Sequence, residues 1–73
     1  MKTLFDCKRG DVVEVVKLHA NSEFKQRLIS FGILKGAKVK MLEYAPAKST
    51  IEIQVGKMNI ALRAEEAKMI EVA

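Results

Sequence analysis

Residues 50–55 alternate strictly between polar and apolar, which places Ile51, Ile53 and Val55 on one side of an extended chain. A repeat of two marks a strand with one buried face. The alternation resumes after Gly56-Lys57, where Met58, Ile60 and Leu62 are expected to point inward. A two-residue connection with glycine first suits a type II′ hairpin, so these two strands should pair across it. Upstream, residues 38–44 form another extended run. Val39, Met41 and Glu43 fall on one side of it, and Lys38, Lys40, Leu42 and Tyr44 on the other. Residues 12–19 are rich in β-branched side chains and predict the first strand. Val12, Val13, Val15 and Val16 cannot all share a face, so either a bulge or cover on both sides is implied. Ile70-Glu71-Val72 predicts a short last strand, and residues 64–68 a single helical turn at most.

Between the first two strands the period changes. Phe24, Leu28 and Phe31 stand at i, i+4 and i+7, one face of a 3.6-residue repeat. Asn21 or Ser22 can cap the start, and Glu23 places a carboxylate in the first turn, where the helix dipole favours it. Gly32 follows the last apolar residue, where a left-handed stop needs no Cβ. Gly36 then launches the second strand. Near the start, Leu4 or Phe5 is expected to plug one end of the core, ahead of a turn at Arg9-Gly10-Asp11. Ala45–Ser49 reads as a loop, because Pro46 has no N–H to give a ladder. About five short strands and one inserted helix predict a mainly β chain, and curling into a small barrel is the economical way to hide its edges.

Seventy-three residues make one domain, 1–73. A chain of that size buries only about 60% of the surface it exposes when unfolded. A 49% hydrophobic content still supports a core. Cys7 is the sole cysteine, so no internal disulfide forms, and a reducing, cytoplasmic setting is expected. Asp6, Lys8 and Arg9 interrupt any leader-like apolar run, and no stretch of about 18 apolar residues occurs to cross a membrane. A net charge of +4 raises the question of nucleic acid. The thirteen basic residues are scattered among nine acidic ones, which reads as a solvated surface.

Catalytic parts are missing. His19 and Cys7 are single copies, read as a surface imidazole at a strand end and a half-buried thiol. A structural zinc site needs four such ligands. Glu65 and Glu66 are adjacent on a helical turn and do not face each other, so their expected role is to charge its first turn. Nucleic-acid binding would need aromatic platforms, and Tyr44 is the one aromatic residue placed for exposure. Partner binding is better supplied. Ile29 lies about 100° from its neighbour Leu28 on the helix, so it either widens the buried face or adds to an exposed apolar patch. Tyr44-Ala45-Pro46 sets an aromatic residue beside a rigid corner. Arg27, Ile29, Tyr44 and Pro46 are therefore the candidate contacts.

Residues 25–36 (KQRLISFGILKG), then Ala45-Pro46, then residues 60–72 (IALRAEEAKMIEV), resemble in order the ferrous iron transport protein A family. Leu4 followed by Lys8-Arg9-Gly10 fits that family's opening, and the likeness covers nearly the whole chain. The resemblance implies an SH3-like barrel, cytoplasmic in bacteria; from the residues themselves, no cofactor or metal site and no nucleic-acid partner is expected. Its partner would be the membrane GTPase transporter, ferrous iron transport protein B, met without insertion into the bilayer. Similar domains end iron-dependent repressors, so fold alone would leave a nucleic-acid module or a repressor-type domain as the alternative. A metal carrier built on Cys7 or His19 is a third reading. One departure stands out: the family loop continues Ala-Pro with Gly and a second Pro, whereas this chain reads Ala47-Lys48-Ser49-Thr50.

Overall fold

The computed structural model describes the backbone of residues 1–73 and every side chain except that of Lys48. Its strands are β1 (Val12–Leu18), β2 (Lys38–Tyr44), β3 (Thr50–Val55), β4 (Met58–Arg63) and β5 (Ile70–Val72). Helix α1 (Ser22–Ser30) lies between β1 and β2, and the one-turn α2 (Ala64–Ala67) between β4 and β5. The sheet is antiparallel throughout, in the order β4-β3-β2-β1-β5. Its two outer strands, β4 and β5, are not paired with each other, so the sheet curls without closing.

Strand β1 changes partner halfway. Val12–Glu14 pair with Lys40–Lys38 of β2, and Val15–Leu18 pair with β5 across a register shift between Val15 and Lys17. That bulge answers the run of valines. It moves the inward phase by one residue, so Val13, Val15 and Leu18 are all buried while Val12 is exposed. Strand β2 carries a second shift, between Met41 and Glu43. Val39 and Met41 face the core as expected, but Glu43 is turned out to solvent. Tyr44 comes to lie opposite the inward-facing Ile51 and is half-buried, contrary to the exposed position expected of it.

The β3–β4 hairpin pairs as its alternation predicts, from Thr50↔Arg63 to Val55↔Met58. Gly56 has φ +59° and Lys57 does not share the positive sign, as a type II′ turn requires. Ile60 and Leu62 are buried; Met58, expected inward, is half-exposed. It occupies the turn end of an edge strand, where no further strand lies over it. The core joins the inward face of the curled sheet to Leu4, Leu28, Ile33 and Ala67, with Phe5, Phe24, Phe31 and Tyr44 packed around it. Of the predicted helical stripe, Leu28 is fully buried, and the two phenylalanines seal its margin. Cys7, expected half-buried, is 3% exposed. Residues 45–49 connect β2 to β3 as the expected loop, with Ala47 in a left-handed conformation in its middle.

Candidate partner-binding surface

Helix α1 is fixed in rotation by its two ends. At the start, Asn21 Oδ1 accepts the Phe24 N–H at 2.9 Å, meeting one of the unpaired first-turn donors. At the other end Phe31 is the C-cap and Gly32 takes φ +87°. The Gly32 N–H donates to the Ile29 carbonyl and the Ile33 N–H to the Leu28 carbonyl, each at 2.9 Å. Those two bonds define a Schellman stop, and Leu28 and Ile33 provide its apolar clasp, both fully buried. With Leu28 locked inward, its neighbours are aimed elsewhere.

Ile29 is one of them. It is 43% exposed, which decides for a surface patch over a wider buried face. Together with Val16, Leu18 and Leu34 it lines an open groove of about 300 Å³ between β1, α1 and the segment linking α1 to β2. Lys17, Lys25 and Lys35 stand on the same groove. Among the described residues these three lysines form no ion pair, while Glu14, Glu43, Glu66 and Glu71 are engaged with Lys38, Arg9, Arg27 and His19.

Arg27 points another way, since two residues along a helix turn about 200°. Its Nη1 lies 3.4 Å from Glu66 Oε2, and its guanidinium is 5.9 Å from the centre of the Phe31 ring. Glu66 also accepts the Arg63 N–H at 2.8 Å, so one carboxylate holds the start of α2 and ties it to α1. Tyr44 and Pro46 occupy the β2–β3 corner and do not line the groove at Ile29. The Tyr44 hydroxyl shares its one proton between the Phe5 carbonyl, at 2.8 Å, and that of Cys7, and its ring meets Phe5 edge-on, 5.9 Å between centres. Burial pushes the Tyr44 hydroxyl above its ordinary pKa. Pro46 is exposed at the first position of its turn, where a missing N–H leaves nothing unsatisfied.

Sequence reasoning thus named Ile29 but missed Leu34 and the three lysines around it. Leu34 sits in a short link with no period of its own, and residues 17, 25 and 35 are too far apart in the chain to read as a cluster. Elsewhere, Cys7 sits in the core and burial raises its thiol pKa, the opposite of an activated nucleophile. His19 Nε2 lies 2.7 Å from Glu71 Oε1 at the surface. Among the described residues, no three His, Cys, Asp or Glu side chains gather to hold a metal ion. No helix among them is long and apolar enough to cross a membrane.

The FeoA domain family profile matches residues 2–73. The candidate Fe(2+) transport protein A of Campylobacter jejuni is 37% identical over 70 residues, covering 96% of this chain and 95% of that one. A Porphyromonas gingivalis protein described as a fusion of Fe(2+) transport protein A with the Fe(2+) transporter FeoB is 26% identical over 94% of this chain, which matches 8% of the fusion. The crystal structure of Stenotrophomonas maltophilia FeoA complexed with zinc superposes with a TM-score of 0.86 at 31% identity, covering 100% of this chain and 91% of that one. That protein is described as a prokaryotic SH3 domain protein, and the expected SH3-like architecture holds here, with the sheet left open. A manganese-dependent transcriptional repressor superposes over 99% of this chain and 35% of its own with a TM-score of 0.88. At 20% identity it shares the fold alone.

Proposed function

This chain belongs to the FeoA family, and on that footing we propose that it is a cytoplasmic accessory of ferrous iron uptake that docks on the membrane transporter FeoB. The observation that carries the reading is the Porphyromonas gingivalis relative, in which a domain like this one and FeoB are one polypeptide. Fusion keeps two modules at high effective concentration, which suits modules that work by contact. The domain acts by binding and carries out no reaction of its own. Ile29 is the central contact; Arg27, on another side of α1 beside Glu66 and Phe31, offers a separate one, and Pro46 and the ring of Tyr44 a third, smaller contact at the β2–β3 corner.

The test is capture of the full chain on membranes containing FeoB. Replacing a true contact residue costs roughly 2 kcal/mol or more, about thirtyfold in affinity. Ile29→Asp should therefore lower retention by that factor while circular dichroism reports an unchanged fold. Equal retention of Ile29→Asp and wild type would remove this surface from the proposal. No retention of wild type, with or without nucleotide, would remove the partner.

A further inference from the structure

The groove at Ile29 has two properties that together specify what fits it. Its lining is apolar, from Val16, Leu18, Ile29 and Leu34, and the last two are about half-exposed, at 43% and 45%. Its rim is cationic, from Lys17, Lys25 and Lys35. The acidic side chains of the domain that form ion pairs do so elsewhere, with Lys38, Arg9, Arg27 and His19. An apolar strip bordered by unneutralised ammonium groups is complementary to an apolar strip bordered by carboxylates.

We propose that this groove receives an acidic amphipathic helix, with apolar residues at i, i+3, i+4 and i+7 and Asp or Glu on both flanks. The proposal deepens the docking reading given above, on which it rests, by stating the chemistry of the docked segment. At about 300 Å³ the groove suits one or two side chains of a segment laid across it, and sits at the small end of the range for an engulfed organic ligand. The apolar residues line a hollow, which the side chains of a peptide can fill and a bilayer surface cannot enter. The occupant is therefore protein. Lys25 and Ile29 are one helical turn apart on α1, so a segment touching Ile29 passes within reach of an ammonium group.

The probe is a synthetic, fluorescein-labelled helical peptide of about fifteen residues with leucine at those spacings and glutamate on its flanks. A comparator carries lysine in place of every glutamate. The full chain is titrated against each by fluorescence anisotropy. The acidic peptide should bind at least about tenfold more tightly than the comparator, and its affinity should fall as salt is raised. Leu34→Asp should weaken it about thirtyfold. The triple change Lys17→Glu, Lys25→Glu, Lys35→Glu should weaken it about tenfold or more, with unchanged circular dichroism for every variant. Equal binding of the two peptides, or full binding by Leu34→Asp and the triple variant, would overturn the assignment. So would preferential binding to phosphatidylglycerol vesicles, which would make the groove a lipid contact. A second arm separates the two proposals. If FeoB membranes retain Leu34→Asp as well as wild type, the groove assignment falls and the docking partner stands. If they do not retain wild type, the partner falls, and the peptide titration judges the groove alone.

Discussion

Ala47 has φ +63° and ψ 11°, a left-handed conformation in which an L side chain crowds the following carbonyl. That crowding costs roughly 1–2 kcal/mol, against about 0.5–1 kcal/mol for the extra freedom a glycine loses on folding. Ala47→Gly should therefore stabilise the domain by about 0.5–1 kcal/mol, seen as a rise of a few degrees in melting temperature. No rise would mean that the loop relaxes around alanine. The position is the one where the sequence departs from its family's Ala-Pro-Gly, so the departure was legible but its physical consequence was not: a backbone angle is not written in composition. Tyr44 was misread for a related reason, because a register shift reversed its face. Its hydroxyl and the Cys7 thiol are both raised by burial, so the folded chain keeps these protons where the unfolded chain has begun to lose them. Stability from both groups is full below the ordinary thiol pKa and declines as pH climbs through roughly 8.5 to 10 and beyond. Urea midpoints should fall across that range, and fall less steeply in Cys7→Ala; identical slopes would show that the thiol plays no part. Asp6 works at the acid end. Hydrogen bonds from the Thr3 N–H and hydroxyl hold its carboxyl below the ordinary value, so its contribution is present above that value and is lost on acidification.

On α1, neighbouring residues have opposite jobs. Leu28 is fully buried and closes the Schellman clasp with Ile33, whereas Ile29 faces the groove. Leu28→Ala should cost about 2–5 kcal/mol of stability. Ile29→Asp should leave stability within about 0.5 kcal/mol, being an exposed position. Paired urea titrations read both values, and a large loss at Ile29 would mean that the groove is part of the core. Gly32→Ala should cost about 1–2 kcal/mol through its φ of +87°, since the nearest atom to an added Cβ is Val55 Cγ1 at an ordinary 3.6 Å. This helix was readable from sequence because its cap, its glycine and its apolar spacing all agree. The two bulged strands were less so. In β1 the surplus of valines announced an irregularity without locating it, and in β2 nothing local marks the shift after Met41 that turns Glu43 outward. Bulges arise where distant strands impose register, and that constraint is absent from a window of seven residues.

At the scale of the molecule, the sheet order leaves β4 and β5 unjoined, so something other than a strand must hold the ends of the sheet together. The N-terminal segment does this. The Val72 N–H donates to the Lys2 carbonyl at 2.9 Å, Thr3 pairs with Glu71, and Leu4 is fully buried. Two residues on, the carbonyls of Phe5 and Cys7 both accept the Tyr44 hydroxyl, so residues 2–7 connect edge strand β5 to the end of β2. Sequence reasoning identified a plug at Leu4 or Phe5 but could not show that its carbonyls were also anchored, because the anchor lies 37 and 39 residues away. A domain of this length has a total stability of only about 4–11 kcal/mol. Leu4→Ala should remove about 2–5 kcal/mol of it, and Tyr44→Phe, which removes the one proton the two carbonyls share, about 1–3 kcal/mol. Both changes loosen one strap, so the loss in the double variant should be smaller than the sum of the two. Urea unfolding of the wild type, both single variants and the double variant measures that coupling. Strict additivity would mean that the plug and the tyrosine hold the sheet independently.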